Sequence, residues 1–211
     1  KIMIHFLFHL IDWIFFSTII AIIIGLIRYR KLDSLSLIIF YYLVYSFING
    51  LVMFVYGQLG LNNLFYYNSY IVIEFIILGV FFWFSSQHKW FRWGIVTSGA
   101  IFVVVFLSTF NSRLVYLNLL KMVETISIFL WGLALTTQEN SETDKLLHSP
   151  RFWISAGLMI YSAPTFLIAA ASNQILLLPK EQAFIIWALN SIFYGIMILF
   201  ISIALLRCSK T

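Results

Sequence analysis

Residues 183–206 read AFIIWALNSIFYGIMILFISIALL, from Ala183 to Leu206 without one Lys, Arg, Asp or Glu. At 1.5 Å rise per residue, a helix of about twenty residues crosses about 30 Å of hydrocarbon. A membrane-crossing barrel strand would instead alternate apolar and polar residues over about ten positions. The run is unbroken, so it reads as a helix. Six more runs share its character: Ile2–Ile27, Leu35–Tyr56, Tyr66–Phe84, Trp93–Phe110, Leu114–Thr136 and Phe152–Ala171.

Composition points the same way. Of 211 residues, 62% are hydrophobic and 10% are charged. Soluble domains carry about 25% charged residues, and a water-soluble fold built from this chain would expose large apolar patches. In lipid every backbone polar group must be satisfied internally, which leaves helices or closed barrels. The expected fold is all-α: a polytopic membrane bundle of seven transmembrane helices, one domain over residues 1–211, with no soluble domain. The first run is longer than a signal-peptide core of about 7–15 residues, so it is read as a retained span. The single cysteine, Cys208, allows no internal disulfide.

Lysine and arginine placement sets the expected orientation. One side receives Arg28, Arg30, Lys31, Lys89, Arg92, Lys145, Arg151, Arg207 and Lys210, which is nine; the other receives Lys1, Arg113 and Lys180, which is three. Lys121 lies inside a span. The richer side is cytoplasmic by the positive-inside rule. The N-terminus is then outside and the C-terminus inside, in the cytoplasmic (inner) membrane of a bacterium. These flanks account for the net charge of +5, so nucleic acid is not an expected partner; the lipid bilayer is. Trp83, Trp90, Trp93, Tyr66, Tyr67 and Trp153 sit near predicted span ends, as interfacial aromatic belts do.

Ionisable groups inside spans are costly and point to function. Here they are Asp12, Glu74, Lys121 and Glu124, accompanied by Asn49, Asn68, Asn118, Thr165 and Asn190. Counted from the expected outer ends, Asn49, Glu74, Lys121, Glu124 and Asn190 lie roughly 10–15 Å deep, with Asp12 at a similar or slightly greater depth. The inner halves, such as Ile19–Ile27 and Ile196–Leu206, are almost purely apolar. Asp12, Asn49, Glu74, Lys121, Glu124 and Asn190 are therefore the candidate ligand-binding residues of an outer-half pocket. Helical spacing supports convergence: Asn118, Lys121 and Thr125 share a stripe, as do Tyr67, Tyr70 and Glu74, then Tyr42, Ser46 and Asn49, then Trp187, Asn190 and Tyr194. The competing reading is structural. Lys121 and Glu124 neutralise each other three residues apart, and the asparagines are packing contacts between helices, worth about 0.6 kcal/mol each.

His5, His9 and Asp12 fall on one helical face at i, i+4 and i+7. Two histidines so spaced, with a third ligand, can hold zinc. The alternative is that both rings simply sit at the outer interface. His88 and His148 fall in predicted cytoplasmic loops and do not complete such a site. Pro164, inside the sixth run, removes a backbone hydrogen bond and is expected to kink that helix.

Known seven-helix families restrict the choice. Microbial rhodopsins hold retinal on a lysine of the last helix, and Ala183–Leu206 has none, so retinal is not expected. Ceramidase-like hydrolases use a histidine pair in the last helix, which is also missing. Asn68-Ser69-Tyr70 leading to Glu74-Phe75, Phe152-Trp153-Ile154 with Gly157 and Ile160-Tyr161, and Trp187-Ala188-Leu189-Asn190 give the chain its nearest resemblance. It resembles small seven-helix proteins of Bacteroidota that look like the membrane sensor region of histidine kinases. That resemblance implies a membrane or cytoplasmic signalling partner protein, because no kinase follows Leu206 in this sequence.

With no strong catalytic motif, the leading expectation is a non-enzymatic receptor-like or accessory signalling module. Its outer-half pocket would bind a small ligand, lipid or partner. The alternatives are an intramembrane lipid-modifying enzyme, metal-dependent in one version, and a proton-coupled transporter using Glu74 with Lys121 and Glu124.

Overall fold

The computed structural model describes residues 2–109, 118–138 and 147–208, with the side chains of residues 2–6 and 8 outside that description. Phe110, Arg113, Leu114 and the acidic loop residues Glu139, Glu142 and Asp144 also lie outside it. The described chain is helical: α1 Ile2–Arg28, α2 Ser34–Gln58, α3 Leu64–Ser85, α4 Lys89–Thr109, α5 Asn118–Gln138, α6 Pro150–Ala170 and α7 Lys180–Arg207. A 3-10 turn, Tyr29–Lys31, follows α1, and a one-turn helix, Ser172–Ile175, follows α6. There is no strand among the described residues. All seven long helices are long and apolar enough to cross a membrane.

Helix ends follow local chemistry. Asp33 caps α2, its carboxylate accepting from the Ser36 backbone N–H at 2.8 Å. Ser149 caps α6, with Pro150 at the first helical position, where its missing N–H costs nothing. Gly60 ends α2 in the left-handed region at φ 66°. The N–H groups of Gly60 and Leu61 reach back to the Gly57 and Tyr56 carbonyls at 3.1 and 2.9 Å. This is the Schellman arrangement, which needs a residue free of a Cβ penalty. Lys89, Trp90 and Arg92, expected before the fourth run, instead form the first turn of α4, because charged and amphipathic residues are tolerated where a helix leaves the apolar layer. α6 continues through Pro164 to Ala170 as one helix.

The packing order is informative. α1 packs on α2 and α7, α2 on α3, α3 on α5, α5 on α6, and α6 on α7. Six helices thus close a ring, and α4 stands outside it against α3 and α5. Lipid tails are as apolar as leucine, so such packing is driven by close contact rather than by water exclusion. Close contact is visible where Phe75 of α3 stacks on Phe102 of α4, centroids 4.1 Å apart, with Trp131 of α5 alongside. The outward faces carry exposed Trp13, Ile27, Val104 and Leu107, apolar surface of the kind that suits lipid better than water.

One end of the bundle is tied by a clasp. Arg28 at the end of α1 donates to the Cys208 carbonyl at 2.7 Å. The Cys208 thiol lies 3.0 Å from Ser36 Oγ and 3.5 Å from Asp33 Oδ1. Arg207 sits over the Trp153 ring at 5.2 Å. Partial burial of Asp33 works against its charge, but donors from Ser36 and Cys208, with Arg151 nearby, outweigh it and hold the carboxyl below its ordinary range. The folded-state pKa is the lower one. The contribution is therefore complete above the unfolded aspartate value of ~3.9 and is lost as pH falls through the folded value. Asp33→Ala is expected to cost about 1 kcal/mol at neutral pH. Circular-dichroism melts in detergent should show the gap between wild type and variant closing below pH ~4.

Candidate functional site

Every helix of the ring sends polar side chains to its centre. α2 supplies Tyr42 and Ser46, α3 supplies Tyr70 and Glu74, and α5 supplies Lys121 and Glu124, all buried. α1 adds Thr18, α6 adds Tyr161 and α7 adds Tyr194. Glu74, Lys121 and Glu124 are 1%, 2% and 0% exposed, so water does not solvate them.

Proton counting fixes the direction of the hydrogen bonds. A carboxylate accepts only, and a phenol has one proton to give. Tyr42 donates to Glu74 Oε1 at 2.7 Å, and Tyr70 donates to the same oxygen at 2.9 Å. The Ser46 contact to Tyr70, 3.1 Å long, must then run from serine to tyrosine. Lys121 donates to Glu74 Oε2 at 3.0 Å. Its ammonium also lies 2.6 Å from Glu124 Oε2, and the two carboxyls lie close enough to interact with each other. One ammonium thus bridges carboxyls from α3 and α5. The spacing of Lys121 and Glu124 suggested their pairing; the cross-helix half of the bridge could not be read from it.

Towards one end of the ring lies a cavity of about 400 Å³. α1 lines it with Ile11, Asp12, Ile14 and Phe15, α2 with Gly50, Met53 and Phe54, and the α2–α3 loop with Asn63. α6 contributes Tyr161, and α7 contributes Asn190, Ser191 and Tyr194. Tyr161 and Tyr194 pack ring to ring at 5.8 Å. Both line the cavity and both lie within electrostatic reach of Glu74 in the charged cluster. Tyr161 lies within the electrostatic reach of Lys121, Glu74 and Glu124. Tyr194 shares a 3.1 Å hydrogen bond with Thr18 and also approaches Ser46. Asn190 Oδ1 accepts from Thr165 at 2.8 Å, joining α6 to α7 beside the cavity.

Five of the six candidate residues divide between two neighbouring places, and Asn49 belongs to neither. Glu74, Lys121 and Glu124 form the enclosed cluster, whereas Asp12 and Asn190 line the cavity. Asn49 is buried, and its amide nitrogen has no hydrogen-bond partner among the described residues. It is not among the residues lining the cavity. His9 is exposed on α1, and the side chain of His5 lies outside the described residues, so the predicted trio with Asp12 is not assembled within them. Among the described residues no three His, Cys, Asp or Glu side chains group as metal ligands do.

Sequence reasoning did not select Thr18 or Tyr161 as site residues. A threonine in an apolar run carries no signal of its own. Tyr161 precedes Thr165 by one helical turn, a spacing that does place it on the polar face of α6. No protein-family model, curated protein or solved structure matches the chain.

Proposed function

We propose that the protein is a receptor-like or accessory membrane module that binds a small ligand in the cavity between α1, α2, α6 and α7. One observation carries this reading. The tyrosines lining the cavity lie within electrostatic reach of a charged cluster to which the ring helices contribute. Ligand pockets of about 300–1,000 Å³ combine apolar walls with a few convergent polar groups, and this one does. A ligand that bound two arrangements of Tyr161 and Tyr194 with different affinity would shift the balance between them. The shift would reach α3 and α5 through Ser46, Tyr70 and Glu74, and the far end through the clasp between Cys208 and the α1–α2 turn.

The orientation belongs to the same proposal: N-terminus outside, C-terminus in the cytoplasm of a bacterial cell. It is supported by the charge bias and by the clasp end, where Arg28 and Arg207 gather. The cavity then faces outward. Output would pass to a membrane or cytoplasmic partner protein.

Native mass spectrometry of gently extracted protein tests the reading. Wild type is expected to retain a small-molecule adduct that Ser191→Phe, which fills the cavity, does not. Bare protein in both preparations, together with no ligand-dependent change in melting temperature, would overturn it.

A further inference from the structure

We propose that the cavity takes a ligand bearing a protonated or quaternary ammonium group, with Asp12 as its counter-ion. The inference rests on the pocket reading above and names the chemistry of its ligand. Among the described residues, Asp12 is the only acidic or basic side chain lining the cavity. It is partly buried in a helix long and apolar enough to span a bilayer. It has no hydrogen-bond or ion-pair partner among the described residues. A carboxylate in such a span is costly unless something pairs with it, and none of the described residues lining the cavity is a lysine, arginine or histidine. Lys121, the cation buried in α5, is already held by Glu74 and Glu124 at 3.0 and 2.6 Å.

The other walls suit an organic cation. Phe15, Phe54, Tyr161 and Tyr194 present aromatic rings to the cavity, and ring faces attract ammonium groups. Asn190 and Asn63 supply amides that accept from an N–H donor. An anionic headgroup would meet Asp12 with no compensating lysine or arginine, so charge selects against it. Apolar Ile11, Ile14 and Met53 leave room for a carbon chain beside the charged group. The ammonium could belong to a free amine or to a phosphatidylethanolamine headgroup, which share this chemistry.

The test uses the full chain in nanodiscs of phosphatidylglycerol, which carries no amine. Binding of hexylamine, protonated at neutral pH, is compared with that of its uncharged analogue hexan-1-ol by calorimetry. The expected result is a preference for hexylamine of about ten- to a hundred-fold, the scale of one charge-assisted hydrogen bond. Asp12→Asn should remove the preference, and Ser191→Phe should block both probes. Equal binding of both probes, unchanged in Asp12→Asn but blocked in Ser191→Phe, would overturn the ammonium assignment and leave the pocket standing. No binding of either, or binding indifferent to Ser191→Phe in a variant that melts like wild type, would overturn the pocket and the assignment together. Replacing half the lipid with phosphatidylethanolamine separates the sources. Competition with hexylamine supports a lipid headgroup, and undiminished binding supports a free amine.

Discussion

Lys121→Met should destabilise the protein by about 3–5 kcal/mol, the usual cost of removing one partner of a buried ion pair. The reasoning starts from burial. Glu74 and Glu124 are 1% and 0% exposed, and both rest on the same ammonium. Methionine fills the volume but provides no charge, so two carboxyls from α3 and α5 face each other without a cation. Tyr42 and Tyr70 still donate to Glu74, whereas Glu124 loses its ion pair. Glu124→Gln in the same chain should therefore recover a substantial part of the loss. Glu124→Gln alone should be mild, because it leaves a one-to-one pair of Lys121 and Glu74. Glu74→Gln should cost more than Glu124→Gln, because three donors lose a charged acceptor. Unfolding in detergent, followed by circular dichroism, measures all four variants. A mild Lys121→Met, within about 0.5 kcal/mol of wild type as a surface change would be, would show that the cluster is already reached by water.

The cluster also shows which parts of this architecture can be read from a linear sequence. Seven helices were legible because lipid demands about twenty apolar residues for each crossing, and the polar sequence between runs is short. The exclusion of α4 from the ring was not legible: the fourth and sixth runs both lack Asp, Glu, Lys and Asn, yet α6 joins the ring and α4 does not. Lys121 and Glu124 were legible as a pair because they are one turn apart. Their shared use of Glu74, 47 residues away from Lys121, depends on α3 and α5 becoming neighbours across α4, and no local pattern encodes that. Depth alone did not separate Asp12 from Glu74: α1 packs mainly on α2 and α7, and Asp12 lines the cavity. The stripe spacing did place Tyr70 one turn before Glu74 and Tyr42 on the polar face of α2; that Tyr42 and Tyr70 both donate to the same Glu74 oxygen depends on α2 meeting α3.

Gly157→Val should destabilise the bundle by about 1–3 kcal/mol or more, the cost of overpacking a close contact. Valine at an exposed helical position would instead be slightly favoured over glycine, whose backbone entropy costs up to about 1 kcal/mol. The sign is reversed here by what lies opposite. A Cβ on Gly157 would sit 2.9 Å from Phe200 Cβ and 3.2 Å from the Met197 carbonyl oxygen. These atoms belong to or adjoin the α7 backbone, so no side-chain tip can swing away, and α6 must move from α7. That pair of helices carries Tyr161 on one side and Asn190 and Tyr194 on the other, all three lining the cavity. Gly157 lies one turn from Tyr161, and a wedge there separates the two phenol rings now packed at 5.8 Å. Gly94→Val is the matched control, because a Cβ on Gly94 of α4 meets nothing within 4 Å. Melts of the two variants in detergent should differ in sign, with Gly157→Val lowered and Gly94→Val unchanged or raised. At a temperature where Gly157→Val remains folded, it should also bind hexylamine more weakly than Gly94→Val. Equal melting of the two variants would mean that α6 and α7 do not meet at Gly157. Lowered melting with unaltered binding would mean that the contact holds the bundle together without shaping the cavity wall.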